Sequence, residues 1–434
     1  GVIILETDNI YKTDVLEHIR SITDSLSNID GISSVTSLTN IINIRGDDFG
    51  IEIGKLVDEY DIPESPEALE KLRQTVMGKE MYRGSVVSED GTATLIIFTL
   101  FEGADVGLVA KTVMDKTTSL DLPEKIYYIG SPMLVNYISE LMRDDLTSLL
   151  PIAFILIALI LMLSFRSFKG VALPLLTAVI AIVWTLGIMS LAGYKMSMIS
   201  NNIPIILLAV GSAYAIHVLN RINQVLEKDT RKAVTIALAY VMIPVVLAAV
   251  TTVIGFVSFI FGAYLEMIVD FGVFTALGTF FACLLSLFFV PSLITAFAIE
   301  KRNEITLENK LRKSVLSENF LGPLKNLLFK HPKYILTSWG LLILISMGGI
   351  FLIKRSVDIQ EYFKKGNPTR QAEQIMVEKF GGTKPIFVLF KGDMQSPEVL
   401  QTMMRTGEYM KQSPDIYTTQ SVADLIAEIN EVLD

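Results

Sequence analysis

The sequence predicts a polytopic α-helical membrane protein that also carries α+β domains outside the bilayer. Of its 434 residues, 51% are hydrophobic and only 19% are charged, whereas about 25% of residues are charged in a typical soluble domain. Long apolar segments lie between residues 147 and 353, but residues 1–146 hold 12 Lys/Arg against 26 Asp/Glu. These observations predict an acidic, water-soluble domain followed by helices that contact lipid.

Six segments contain the roughly 20 mainly apolar residues that a helix needs to cross a hydrocarbon core of about 30 Å. We expect helices because the backbone groups of a lipid-exposed segment must be hydrogen-bonded within that segment. The predicted spans are 147–165, 171–193, 203–222, 240–262, 269–298 and 334–353. Glycines in and beside them allow helices to approach closely: Gly187, Gly193, Gly211, Gly255, Gly262, Gly272 and Gly278.

Lysine and arginine in the short loops set the expected orientation, because basic loops stay in the cytoplasm. The loop at 165–170, the loop after residue 222 and the connector at 300–333 are rich in Lys and Arg, whereas the loop that holds Lys195 is not. The basic loops are therefore expected in the cytoplasm. Residues 1–146 and 354–434 are then expected on the outer face.

The first domain, residues 1–146, shows alternating strand and helix patterns. Strands are predicted near 2–6, 33–38, 92–101 and 125–130, helices near 13–27, 105–119 and 132–146, and a helical insertion over 50–80. The order β-α-β-β-α-β is that of the ferredoxin-like (split βαβ) arrangement. The helix over 132–146 is expected to continue into the first span.

The end of the chain resembles its beginning at an offset of 384 residues. Ile3-Ile4-Leu5 aligns with Phe387-Val388-Leu389, and Asp14-Val15-Leu16 aligns with Glu398-Val399-Leu400. Both copies predict a strand, an amphipathic helix and a second short strand. The pattern predicts an internal parallel repeat, in which residues 354–434 begin a second α+β domain and the chain is a piece of a longer protein.

Several function classes are excluded or left without support. The formal net charge of −9 argues against a nucleic-acid partner, and the single Cys283 allows no disulfide within the chain. The three histidines have no metal-ligand spacing, and no phosphate-binding G-x-x-x-x-G-K-[ST] motif occurs. We therefore expect no catalytic site, no metal and no cofactor.

Several motifs resemble the resistance–nodulation–division (RND) superfamily. Residues 143–146 and the apolar run that ends at 164–167 resemble the junction between its outer domain and second span. Residues 211–221 resemble the fourth span of the MMPL, or lipid-exporter, branch. The stretches 251–256, 271–272 and 289–293 resemble that branch's fifth and sixth spans.

The resemblance assigns residues 147–299 to spans 2–6 and residues 334–353 to span 7. Residues 300–333 become a cytoplasmic connector with an amphipathic helix near 316–328. The five-span unit at 147–299 is also similar to the sterol-sensing domain of Patched-like proteins.

The resemblance implies an ion-gradient-driven, proton-coupled exporter of a hydrophobic or lipid-like substrate. It further implies a homo-oligomer, a dimer or a trimer, in the bacterial inner (cytoplasmic) membrane with its soluble domains on the periplasmic face. Two alternatives remain open. One is a lipid- or sterol-binding sensor of the Patched-like type that does not transport, and the other is a SecDF-like accessory of protein export.

The chain departs from the family pattern at one functional position. Many members carry an acidic residue directly before the tyrosine of the fourth span, but Ala213 stands there in this sequence. His217, one helical turn further on, is the ionisable residue deep within a span, where such residues are usually functional. It is either a proton-coupling or gating residue, or a neutral histidine that bridges two helices through a hydrogen bond.

The remaining candidates for coupling or gating lie on the same or the next span. Ser212, Tyr214 and Asn220 share or border the face of His217, and Thr251 and Thr252 are expected to reach it from the following span. For the two threonines, structural packing is the competing interpretation.

Overall fold

The structure is a computed structural model that describes residues 1–47, 50–58, 61–79, 81–227, 229–297, 322–353, 363, 366–382, 386–413 and 416–433. The chain divides into two compact units. The mixed unit comprises Gly1–Glu140 and Val357–Asp434, and the helical unit comprises Leu141–Ser356.

A four-stranded antiparallel sheet forms the centre of the mixed unit. Its strands are β1 (Val2–Glu6), β2 (Ile32–Thr36), β5 (Ala93–Leu100) and β6 (Lys125–Ile129). Their order across the sheet is β2-β5-β1-β6, so that β1 pairs with both β5 and β6. A separate hairpin consists of β3 (Ile42–Asp47) and β4 (Gly50–Lys55).

Both faces of this sheet are covered, which explains the unbroken apolar sequence of β1. Successive side chains of a strand point to opposite faces. Ile3 and Leu5 pack against α1 (Thr13–Ser27) and α3 (Val106–Ser119), whereas Ile4 lies in a second apolar cluster on the other face. A strand that is buried on both faces needs apolar residues at every position.

The predicted helical insertion over 50–80 is wrong in its first part. Ile42–Asp47 and Gly50–Lys55 pair as the β3–β4 hairpin, and the helix that the described residues of this stretch form, α2, covers Pro66–Gly78. The sequence of the hairpin alternates apolar and polar residues at Ile42, Ile44, Ile51 and Ile53, a period that favours strands. The helix begins where Ser65 accepts a hydrogen bond from the Ala68 amide at 3.2 Å and caps it.

The C-terminal part of the mixed unit is helical in its described residues. It contains α12 (Pro368–Phe380), α13 (Pro397–Lys411) and α14 (Val422–Leu433). The strands predicted around 387–389 and from residue 416 do not form, because a strand requires a partner to bond its backbone and these described segments have none. The internal repeat therefore stays a prediction, and residues 354–362 lie outside the described residues.

Six helices in the described part of the chain are long and apolar enough to cross a membrane, which confirms the predicted spans. The helices concerned are α4 (Ser131–Phe165), α5 (Phe168–Leu191), α6 (Ile203–Gln224), α7 (Thr230–Gly262), α8 (Glu266–Leu284) continued by α9 (Val290–Ala296), and α11 (Pro332–Ile350). A π-helical turn at Leu285–Phe289 joins α8 to α9. The helix predicted to run from the first domain into the first span is the single helix α4.

Two boundaries of the helical unit differ from the expectation. α7 begins ten residues before the predicted span, because Asp229 caps it by accepting a hydrogen bond from the Arg231 amide at 2.9 Å. In the connector, a short helix, α10, covers Gly322–Lys330. The earlier part of the predicted amphipathic helix, residues 316–321, lies outside the described residues.

Close helix contacts occur at some of the glycines. A Cβ added to Gly278 of α8 would lie 2.4 Å from Leu207 Cδ1 of α6 and 2.7 Å from Thr185 Oγ1 of α5. Gly211 and Gly272 are also in close contact with neighbouring helices, but no described atom lies within 4 Å of the corresponding position at Gly187. The packing interpretation therefore holds for some of the glycines, whereas others, such as Gly187, have no close neighbour among the described residues.

Gly278→Ala and Gly187→Ala form a matched pair that tests this packing. We expect Gly278→Ala to lower the thermal unfolding temperature in detergent, because overpacking costs about 1–3 kcal/mol. Gly187→Ala should leave it unchanged or raise it slightly, since alanine favours a helix over glycine by roughly 1 kcal/mol. Equal unfolding temperatures for the two variants would contradict the described contact between α5, α6 and α8.

Candidate functional site

The helix that carries most of the candidate residues, α6, packs against α5, α7 and α8. Its buried side includes Leu207, Gly211, Tyr214 and Val218. Gly211 permits the close approach, because a Cβ at this position would lie 3.3 Å from the Ala178 Cα of α5 and from the Ala282 Cβ of α8. Three neighbouring helices thus cover one side of α6, and no described residue covers the other side.

The uncovered side, here called the open face of α6, is small and polar. Ala209, His217 and Asn220 are exposed on it, and Ala213 is half-buried. These residues recur at spacings of three and four, which places them on one side of a helix. The open face thus carries an imidazole and a carboxamide within a predicted membrane span.

The other spans differ from α6 in what they expose. Among the described residues, α4, α5, α7, α8 and α11 all present large apolar side chains on their surfaces, such as Trp184 of α5, 48% exposed, and Ile243 of α7, 64% exposed. No large apolar side chain of α6 is exposed. Helix surfaces in contact with lipid are apolar, and polar residues in spans face a helix bundle or a water-filled cavity.

Four of the six candidates lie on α6, and the structure divides them between two sides of that helix. Ser212 and Tyr214 are buried, whereas His217 and Asn220 lie on the open face. Ser212 donates a hydrogen bond to the Ala209 carbonyl of its own helix at 3.1 Å. Ser212 does not share the face of His217, because five residues of helical rotation place it roughly 140° away. Tyr214, three residues and roughly 60° away, borders that face as expected, but its side chain is buried.

The threonines of α7 do not reach His217 by hydrogen bonds. Thr251 and Thr252 both donate to the Ala248 carbonyl, at 2.9 and 2.8 Å. Tyr214 Oη lies 3.5 Å from Thr252 Oγ1, the outer limit of a hydrogen bond. Within the described part of the chain, no hydrogen bond from His217 to a second helix is present, so the bridging interpretation has no partner there.

Sequence reasoning missed a contact at the end of α6. The Arg221 guanidinium lies 4.6 Å from the centre of the Tyr240 ring of α7, a favourable cation–π distance. Arg221 Nη1 also donates to Gln224 Oε1 at 3.3 Å. No sequence signal connects Arg221 with Tyr240, because the two residues lie on different helices and pair only after packing.

Buried hydroxyl groups between α5 and α8 use their own helices as partners. Thr185 donates to the Ala181 carbonyl at 2.7 Å, and Thr279 donates to the Thr275 carbonyl at 2.8 Å. These bonds satisfy the hydroxyl groups without water. Among the described residues, no group of three or more His, Cys, Asp or Glu residues is arranged to hold a metal ion.

Two comparisons relate this chain to known proteins. The chain is 28% identical over 311 residues to a membrane protein of Methanocaldococcus jannaschii, which covers 70% of this chain and 76% of that protein. It also matches the crystal structure of a heavy metal efflux pump with a TM-score of 0.42 and 16% identity. The match covers 69% of this chain, which spans 36% of the length of the pump.

A family comparison gives the assignment. The model of the MMPL family matches residues 15–311, more than half of the chain. The match includes the first domain from Val15 onward and all of α4–α9. The chain therefore belongs to the MMPL family, as the resemblance of its fourth span predicted.

Proposed function

We propose that this protein exports a hydrophobic or lipid-like molecule and that a proton gradient drives the export. The observation that carries the proposal is His217 on the open face of α6, the one described span that exposes no large apolar side chain. A polar face costs free energy in contact with lipid. It is therefore expected to line a water-filled path or to contact another polar surface.

His217 can supply the proton exchange that Ala213 cannot. The two residues lie one turn apart on the open face, and imidazole takes up and releases protons near neutral pH. Where many family members carry a carboxylate before the tyrosine, this chain carries a titratable group one turn further along the same face. Proton coupling in this helix is thus assigned to His217, with Asn220 beside it as a hydrogen-bonding neighbour.

Tyr214, Ser212, Thr251 and Thr252 receive supporting roles in this proposal. Tyr214 and Ser212 hold the buried side of α6 against its neighbours, and Thr252 contacts Tyr214 from α7. Hydrogen bonds between membrane helices contribute only about 0.6 kcal/mol on average. We therefore assign these four residues to packing and gating, and we assign proton uptake and release to His217.

The proposal places the protein in the inner (cytoplasmic) membrane with the mixed unit on the periplasmic face. Basic residues in the turn between α4 and α5 and at the start of α7, such as Lys169 and Arg231, support this orientation. The sheet order β2-β5-β1-β6 supports a ferredoxin-like first domain at residues 1–146, with residues 354–434 as the beginning of a second. A lipid or other hydrophobic molecule is the expected partner, and a dimer or trimer the expected assembly.

A second function is favoured by Ala213 itself. Without a carboxylate in the fourth span, the same five-span unit can act as a lipid- or sterol-binding sensor that does not transport. The two functions differ in coupling, because a sensor binds lipid but produces no flux that depends on a gradient.

His217→Ala tests the coupling role in proteoliposomes that contain a fluorescent phospholipid and carry an imposed pH gradient. We expect gradient-dependent flux to fall at least about tenfold, because a positioned proton-transfer group typically contributes roughly 10²–10⁴-fold. Asn223→Ala is the control, since it removes another exposed polar side chain near the end of α6. Unchanged flux in His217→Ala would remove His217 as the coupling group, and phospholipid binding without flux in the unmodified protein would favour the sensor.

His217→Cys and Ile243→Cys test whether the open face of α6 contacts water. Both positions are exposed in the helical unit, and the native Cys283 is replaced by alanine in both variants. A water-soluble thiosulfonate should modify Cys at position 217 at least about tenfold faster than at position 243, because thiols react as thiolates and hydrocarbon suppresses ionisation. Equally slow modification at the two positions would show that water does not reach the open face.

A further inference from the structure

The strongest unassigned feature is the contact of α12 with the sheet of the mixed unit. Phe380 of α12 is buried in one cluster with Ile4, Ala93 and Leu95, and Ile375 packs against the same cluster. This cluster covers the sheet face that α1 and α3 do not cover. A helix that follows the last span thus completes the core of a sheet built from the first 130 residues.

An ion pair holds the C-terminal end of α12. Lys379 Nζ lies 2.5 Å from Asp90 Oδ2 and 2.9 Å from Thr92 Oγ1. Burial acts to raise the pKa of Asp90, but hydrogen bonds from Lys379, Ser88 and Thr92 outweigh it and hold that pKa well below its usual range. The hydrogen bond with Asp90 raises the pKa of Lys379.

The sign of these shifts gives the pH range of the contact. A carboxyl group with a lowered pKa stabilises the contact above its ordinary pKa of about 3.9, and that stabilisation is lost as the pH falls below it. A lysine with a raised pKa loses its contribution only above about 10.4. The ion pair is therefore present throughout the physiological range and does not respond to a transport proton.

Side-chain contacts also hold the N-terminal end of α12. Asn367 caps the helix by accepting a hydrogen bond from the Thr369 amide at 2.9 Å, and its Nδ2 donates to Tyr137 Oη. The Tyr137 ring meets the Phe363 ring edge-on with 5.6 Å between ring centres. Tyr137 belongs to the first turns of α4, so both ends of α12 are held by the N-terminal part of the chain.

A third set of contacts lies beyond α12. Tyr417 shares a hydrogen bond with Glu89, which raises the pKa of the tyrosine. Gln420 Nε2 donates to the Met81 carbonyl at 3.4 Å. Two separate parts of the C-terminal segment therefore contact the loop that leads into β5.

We propose that α12 is a permanent cover of this sheet, so that the segments before α4 and after α11 move as one rigid body during activity. Two domains that moved independently would have to separate Phe380 from Ile4 and Leu95 and leave Lys379 without Asp90. The first segment is continuous with α4, a single helix that also forms a predicted span. The inference rests on the proposed transport only for the choice of a proton gradient as the driving condition.

Leu95→Cys in a Cys283→Ala background tests the proposal. Leu95 lies beneath α12, whereas Thr99 at the far end of the same strand is exposed. In proteoliposomes with and without a pH gradient, a membrane-impermeant maleimide should label Leu95→Cys at least about tenfold more slowly than Thr99→Cys, because a buried thiol reacts only after local opening. Labelling of Leu95→Cys that accelerates when the gradient is imposed would overturn the proposal.

Two further variants keep the result interpretable. Ile96→Cys faces α1 and α3, so its acceleration together with Leu95→Cys would report general unfolding and not release of α12. Phe380→Asp combined with Leu95→Cys should label rapidly in both conditions and shows that the assay detects an uncovered sheet. The labelling also reports on α12 if no lipid flux is found, so failure of the proposed function is distinguishable from failure of this inference.

If Leu95→Cys does not fold, a double variant with Asp90→Cys and Lys379→Cys provides a second test. Asp90 is exposed and Lys379 is half-buried, so neither change disturbs the core. A short bifunctional maleimide should join the two cysteines without changing gradient-dependent flux. If the cross-linked double variant lost flux and the same variant without cross-linker retained it, α12 would have to leave the sheet during transport. This result would contradict the proposal.

Discussion

Hydrocarbon offers no partner for a hydrogen bond, so a chain that enters it must satisfy every backbone amide and carbonyl internally. The helical unit follows this constraint down to its side chains. Buried hydroxyl groups such as those of Thr177, Thr185 and Ser286 donate to carbonyls four residues earlier in their own helices. Hydroxyl groups can therefore lie between α5, α6 and α8 without water and without contacts across helices.

The same constraint makes the open face of α6 informative. Unlike these hydroxyl groups, the His217 imidazole makes no hydrogen bond to its own or another helix within the described residues. Its position is reasonable only if water or a polar surface covers that face. A different constraint acts on the mixed unit, because both faces of its sheet are apolar and must be buried. α12 covers the second face. We propose proton exchange at His217 in the helical unit and a rigid body in the mixed unit.

Elements governed by local pattern were predictable from the sequence. The α1 helix at Thr13–Ser27 and the six spans follow from hydrophobic period and length, and the family follows from the motif around Tyr214. Elements governed by distant partners were not. The sequence around Ile386 predicts a strand, but this segment pairs with no described segment. Lys379 forms an ion pair with Asp90, which is 289 residues away in the sequence.

The candidate site shows the same division. The helical spacing of Ala213 and His217 places both on one face, and the structure agrees. Which face of α6 is open depends on the packing of α5, α7 and α8, so the sequence could not show that Tyr214 is buried while His217 is exposed. The cation–π contact of Arg221 with Tyr240 could not be predicted either, because it depends on how α6 packs against α7.

The membrane arrangement is the claim on which every functional argument depends, and thiol labelling of intact cells tests it most directly. Tyr264 lies between α7 and α8, and Lys169 lies at the start of α5. In a Cys283→Ala background, a membrane-impermeant maleimide should label Tyr264→Cys in intact cells and Lys169→Cys only after the membrane is permeabilised. Labelling of Lys169→Cys in intact cells, with Tyr264→Cys protected, would contradict the orientation, and labelling of both would contradict the crossing of the bilayer by these helices.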